Sequence, residues 1–261
     1  MTRSADVLHD QASDALAEGE GWFVYGIVLA DGNPVAGVAG LEGREIVTIR
    51  SDRVAAMVSP LAVERPPGRA KELLAYGQAL DAVADRHPVV PVRFGAILPD
   101  ARAVVEELLA PGEEHFHALL EDLLGRAQFM LRASYVEEQV LTEIVQSDPE
   151  VAALRERTRG LPEETAYGDR VRLGELVSRA IEDRRGYDAD LLLGHVLTLV
   201  DAHVLRPVSG LEPVCDVALL VHSDQRAELD ARLESLAEEV HERIRLRLMG
   251  PVAPYDFVGE G

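Results

Sequence analysis

A single cysteine, Cys215, leaves the chain no intrachain disulfide and no zinc site built from cysteine thiolates, and fits a reducing, cytoplasmic setting. Lysine is as scarce, with Lys71 alone, so nearly every basic group is an arginine, which reads as genomic base bias. Bases number 26 against 46 acids, and the formal net charge is −20. A surface of that sign repels phosphate, which excludes nucleic acid and anionic membrane as partners. Aromatics make up only 5% of the residues, so the core has to be built from Leu, Val, Ala and Ile. No apolar run approaches the roughly 20 residues of a membrane span. Residues 1–21 are polar and acidic, with neither a basic nor an apolar region of a signal peptide, and are expected to form a loose leader.

The usual marks of catalysis are missing too. No Gly-x-Ser-x-Gly elbow occurs, and Gly32, Gly37, Gly40 and Gly43 have neither phosphate-loop nor dinucleotide spacing; they suit turns of a hairpin. Two Glu-x-x-His pairs, Glu114/His117 and Glu238/His241, place a carboxylate and an imidazole on one helix face. With 46 acids and 8 histidines in 261 residues, chance supplies about one such pair, so neither is assigned a metal. No cofactor is expected. Cys215 leads an apolar strand, where a thiol serves as a small buried hydrophobe.

What is present is enough apolar residue, 47%, to bury a sizeable core in 261 residues, one large or two ordinary domains. Strands are expected at Trp22–Leu29, Glu45–Arg50 and Val54–Ser59, with Pro60 marking the exit. A helix at Ala70–Arg86 carries Leu73, Leu74, Leu80 and Val83 as its apolar face, and Val89–Phe94 reads as a short buried strand. Asp100 caps the next helix, which Pro111-Gly112 should interrupt and Gly125 should end. From Ala127 the order is a strand to Tyr135; helices at 137–146, 149–157, 170–183 and 188–203, the last two split at Arg185-Gly186; strands at 204–208 and 215–222; a helix at 224–241; and a strand at 243–249. This is a βαββαβ order, that of a ferredoxin-like domain, with helices inserted in the first crossover. The expected class is therefore α+β: a leader (1–21), a mixed α/β N-terminal domain (22–126), a modified ferredoxin-like domain (127–250) and a tail packed on the body (251–261).

Two segments stand out. The tail carries two prolines and two aromatics, Gly250-Pro251-Val252-Ala253-Pro254-Tyr255-Asp256-Phe257, where chains usually end in polar residues. Arg93 interrupts an apolar run, Pro91-Val92-Arg93-Phe94-Gly95, and a charge there must reach solvent or a partner. A salt bridge to a neighbouring helix is the preferred reading for Arg93, and an anchor at a partner surface is the other. For Tyr255 and Phe257 the preferred role is packing of the tail, with aromatic anchoring of a partner as the alternative.

Together with Tyr25-Gly26-Ile27-Val28 at the first strand, these segments resemble the gas vesicle protein F/L family along nearly the whole chain, from Trp22 to Val258. Ala253 stands where that pattern has a first proline; Gln128 stands where it has Glu, and Leu131-Arg132 where it has Val-Lys. The resemblance implies a two-domain protein with a ferredoxin-like second domain and no enzymatic activity. It implies a cytoplasmic accessory protein of gas vesicle assembly that binds the small hydrophobic shell protein and other accessory proteins. Tyr25, Gly26, Pro91, Arg93, Phe94, Gly95, Gly250, Pro251, Pro254, Tyr255 and Phe257 are then the motif residues, structural or partner-binding. The rival expectation is a small-molecule enzyme or ligand-binding protein on a ferredoxin-like scaffold. A deep pocket ringed by polar groups would favour it, and a shallow apolar groove would favour assembly.

Overall fold

The computed structural model describes residues 16–64 and 67–259. The expected leader therefore lies mostly outside the described residues, and its last two positions, Glu20 and Gly21, instead open the first strand. The chain is mixed α and β with two antiparallel sheets. It divides into two compact units, Met1–Phe129 with Gly250–Gly261, and Met130–Met249.

Unit 1 is built on β1 (Glu20–Leu29), β2 (Val47–Arg50), β3 (Val54–Ala62), β4 (Val90–Pro91) and β5 (Ile97–Leu98), in the order β2-β3-β1-β4 with β5 also paired to β1. Residues 21–28 are all buried. Successive strand residues face opposite ways, so both faces of β1 are covered, which its unbroken apolar sequence demands. Its register with β3 runs from Glu20↔Ala62 to Leu29↔Val54 and shifts at Tyr25, a β-bulge. The Tyr25 hydroxyl accepts the Leu41 N–H at 2.7 Å and bonds Ser59 Oγ at 2.8 Å. It fills the space that a Cβ on Gly40 would need. Pro60 does not end β3; it lies inside it, opposite Trp22. The neighbouring β2 reaches only as far as Val58, so no partner on that side asks Pro60 for an N–H.

Helix α1 (Ala70–Ala84) buries Glu72, Tyr76, Ala79, Leu80, Val83 and Ala84. The expected apolar face is thus half right: Leu80 and Val83 are inside, but Leu73 and Leu74 are 55% and 63% exposed. The Glu72 carboxylate folds back to accept the N–H groups of Gly68 and Arg69 at 2.8 and 2.9 Å, which caps the helix, so the buried face of its first turn carries Glu72 and not the two leucines. The expected strand Val89–Phe94 shrinks to Val90–Pro91, because Pro91 has no N–H to extend the ladder. The Val92 N–H still donates to the Tyr25 carbonyl of β1 at 3.0 Å, and beyond it Gly95 (φ +97°) turns the chain into β5. Asp100 caps the following helix, accepting the Ala103 N–H at 2.8 Å. Pro111-Gly112 does not interrupt it. Helix α2 (Ala101–Ala103) passes through a π-helical turn, Val104–Leu109, into α3 (Ala110–Asp122). The wider turn immediately before Pro111 accommodates a ring and a missing N–H that a regular helix would not.

The second sheet has the order β7-β8-β6-β9. Its strands are β6 (Arg126–Tyr135), β7 (Ala202–Arg206), β8 (Pro213–His222) and β9 (Ile244–Val252). Helices α4 (Glu137–Ser147), α5 (Pro149–Thr158) and α6 (Glu163–Val196) lie between β6 and β7 in sequence, and α7 (Arg226–Val240) between β8 and β9. The break expected at Arg185-Gly186 is absent: α6 runs 34 residues without interruption. A helical glycine costs about 1 kcal/mol, which the anchoring around it outweighs. Arg185 Nε donates to the Pro213 carbonyl at 2.9 Å. Asp188, 3% exposed, accepts the Tyr135 hydroxyl at 2.6 Å and both Arg243 NH groups at 2.7 Å. Arg243 also donates Nε to Glu143 at 2.9 Å and stands over the Tyr135 ring.

Candidate docking pocket

Four of the chain's twelve aromatic residues are gathered in one place. Phe23, Tyr25, Tyr76 and Phe94 interlock in unit 1, with edge-to-face centroid distances of 4.9 Å (Phe23–Tyr25), 5.8 Å (Phe23–Phe94) and 5.2 Å (Tyr76–Phe94). Tyr25 and Tyr76 stack at 6.0 Å. Beside this cluster opens a half-open pocket of about 730 Å³. Helix α1 contributes Leu73, Tyr76 and Gly77 to its wall, and the segment after β4 contributes Val92, Arg93 and Phe94 along with Pro91. The third wall is the tail: Tyr255, Val258 and Gly259.

Within unit 1 the tail is held at Ala253 and Asp256. The Ala253 N–H donates to Asp81 Oδ1 at 2.8 Å. Gln128 holds Asp256 twice, accepting its N–H at 3.2 Å and donating Nε2 to its carboxylate at 2.6 Å. Two of the departures from the resembled pattern, Ala253 and Gln128, sit at these contacts. A proline at 253 would have no N–H for Asp81, and a glutamate at 128 would set one carboxylate against another. Gly250 (φ +143°) packs so closely that a Cβ would lie 2.7 Å from the Phe129 ring and 3.0 Å from the Gln128 carbonyl.

The hydroxyls in the pocket are committed. Tyr76 donates to the Val92 carbonyl, and Tyr255 donates to Tyr76. Burial pushes the Tyr76 phenol up to about 12, the bond from Tyr255 opposing it. Burial, then the neighbouring Tyr76, push Tyr255 up as well. Burial also raises Asp81, against the Ala253 N–H that favours its charged form. A tyrosine raised in the folded state adds stability that is complete below its unfolded value near 10 and lost as pH rises through the folded one. Unfolding midpoints should therefore fall steeply between about pH 10 and 12, and Tyr76→Phe should flatten that fall. Denaturant titrations across this range check it; an equally steep fall in Tyr76→Phe contradicts it.

Arg93 is exposed, and the ion pair preferred for it is not formed among the described residues. Of the other motif residues, Pro91, Phe94 and Tyr255 line the pocket with it. Tyr25 is wholly buried, and Gly26 lets α1 and β4 approach β1, since a Cβ there would lie 2.9 Å from both Leu80 and the Val90 carbonyl. Gly95 makes a turn, and Gly250 and Pro251 are joined by a cis peptide. Pro254 is buried and Phe257 half-buried, and neither lines the pocket. Leu73, Tyr76, Gly77 and Val258 were not foreseen as wall residues. The signal for Leu73 was an α1 with more leucines than one stripe can bury.

Among the described residues, no three His, Cys, Asp or Glu side chains gather as metal ligands. Of the Glu-x-x-His pairs, His241 bonds the Glu238 backbone carbonyl at 2.8 Å, and His117 faces Glu121 at 3.5 Å. Cys215 is buried, and burial pushes its thiol up to about 11, so it is protonated at neutral pH.

Residues 21–259 match the family described as gas vesicle synthesis protein GvpL/GvpF. The chain belongs to this family. Gas vesicle protein F of Streptomyces sp. (strain CB03234) is 31% identical over 205 residues, 78% of this chain and 84% of that protein. The crystal structure of GvpF from Anabaena sp. PCC7120 superposes with a TM-score of 0.77 at 20% identity, over 93% of this chain and 99% of that one. GvpF from Microcystis aeruginosa gives a TM-score of 0.73 at 18% identity, over 91% and 98%. These GvpF structures share the fold, two antiparallel sheets with their helices. No helix among the described residues of this GvpL/GvpF family member is long and apolar enough to cross a membrane.

Proposed function

We propose that this chain is a non-enzymatic, cytoplasmic accessory protein of gas vesicle formation that binds the small hydrophobic shell protein, and other accessory proteins, during nucleation or assembly. The observation that carries the reading is the pocket. Two of the three motif segments line it, its walls are apolar and aromatic, and Leu73, 55% exposed, carries its apolar surface onto α1. An unassembled shell subunit exposes apolar surface and aggregates. A partner of net charge −20 that covers that surface keeps the pair dispersed. The strand order β7-β8-β6-β9 supports a modified ferredoxin-like second domain over about 127–250, with α4, α5 and α6 inserted in its first crossover. The tail, 251–261, then belongs with the N-terminal domain, 22–126.

A pocket of about 730 Å³ is also the size of a small-molecule site. Its hydroxyls, however, are spent on one another and on the backbone, so the convergent polar groups of an enzyme or small-ligand site are not assembled there.

Gly77 gives a specific expectation. It sits inside α1 with nothing within 4 Å of where a Cβ would be. Gly77→Ala should stabilise the isolated protein by about 0.5–1 kcal/mol and leave capture of the shell protein unchanged or weaker. A destabilised Gly77→Ala protein contradicts the open geometry. The function itself is tested by vesicle yield. Deleting the chain from a vesicle-forming strain should abolish vesicles, and folded Leu73→Asp protein should fail to restore them. Unchanged yield on deletion overturns the reading.

A further inference from the structure

We infer that the pocket beside the aromatic cluster receives a carboxylate-bearing apolar segment of a protein partner, with Arg93 as the carboxylate's receptor. The inference rests on the docking role proposed above and deepens it.

The walls call for apolar side chains: Leu73, Val92, Phe94 and Val258 offer no hydrogen bond, and the two tyrosine protons are already used. This leaves Arg93 as the side-chain donor of the lining with protons to give. It is exposed and, among the described residues, unpaired, in a chain with 46 acids to 26 bases. An arginine fork set against an apolar wall recognises a carboxylate with two parallel hydrogen bonds, and does so more strongly where the ligand's apolar part excludes water. The charge complementarity also answers how an acidic protein selects an acidic group: the general repulsion of the −20 surface is overcome only where an arginine and an apolar wall coincide. A protein segment suits the site better than a free small acid. The half-open pocket of about 730 Å³ runs out along Leu73 of α1, 55% exposed, and the bare notch at Gly77 leaves room for a bulky side chain.

The test is an array of apolar octapeptides of Ala, Val, Ile, Leu and Phe, each made with one central Glu and again with Gln in its place, probed with the full-length protein. The best binders should prefer Glu by about tenfold, about 1.4 kcal/mol. Arg93→Gln should erase that preference while leaving the Gln peptides bound, and Leu73→Asp should remove both. A Glu preference that survives Arg93→Gln, or no preference at all, overturns the inference while sparing the docking role, provided Leu73→Asp still abolishes binding. Retention of no peptide overturns both. Tight binding of decanoate with no peptide retained reassigns the site to a small carboxylate and overturns the protein partner.

Discussion

Asp188→Ala should destabilise unit 2 by about 3–5 kcal/mol, the loss typical of removing one partner from a buried ion pair. Asp188 is 3% exposed and is the point where three elements meet. From α6 it takes both Arg243 NH groups, at the entry to β9, and the Tyr135 hydroxyl, at the end of β6. Removing it leaves the guanidinium with Glu143 alone and the phenol without its acceptor. Burial and Asp188 together raise the Tyr135 phenol, while Asp188 foremost raises Arg243. The double variant Asp188→Leu/Arg243→Met should recover part of the loss, since an apolar pair of similar volume leaves no buried charge behind. Urea unfolding followed by far-UV circular dichroism measures both. A loss below about 1 kcal/mol for Asp188→Ala would reduce the cluster to the worth of a surface pair.

Gly250→Val should be nearly as damaging, at about 3 kcal/mol, and for a different reason. The residue is held at φ +143°, which side chains rarely adopt, and its missing Cβ faces the Phe129 ring at 2.7 Å and the Gln128 carbonyl at 3.0 Å. Phe129 is 8% exposed and has little freedom to yield, and the carbonyl is backbone. The expected relief is movement of the tail, which would break the Ala253–Asp81 and Asp256–Gln128 bonds and remove Tyr255 from the pocket. Limited proteolysis should then cut after Tyr255 far sooner than in the parent protein. Parent-like stability with an equally protected tail contradicts the packing described.

The sequence disclosed the elements that depend on their own residues. The apolar run at 22–29 and the Asp100 cap each state a local preference, and each formed. What failed depended on neighbours that lie far away in sequence. Pro60 sits in β3 where the neighbouring β2 has already ended, and α6 passes Gly186 beside Arg185 and Asp188, which are anchored on distant parts of the chain. Leu73 and Leu74 looked like core because helical spacing cannot reveal that Glu72 turns back to cap its own helix. The pocket was half legible. Two odd motifs announced themselves about 160 residues apart, but the α1 wall that completes the site came only with the fold, and the ion pair preferred for Arg93 is not formed among the described residues.

The most direct test is capture of the gas vesicle shell protein on co-expression with this chain, comparing the parent protein with Gly77→Phe, which places a ring in the pocket from an open position on α1. The parent should retain the shell protein, and folded Gly77→Phe should retain at least tenfold less, a difference of about 1.4 kcal/mol or more. Equal retention by the two proteins would show that the shell protein binds elsewhere, and would contradict the assignment of this pocket.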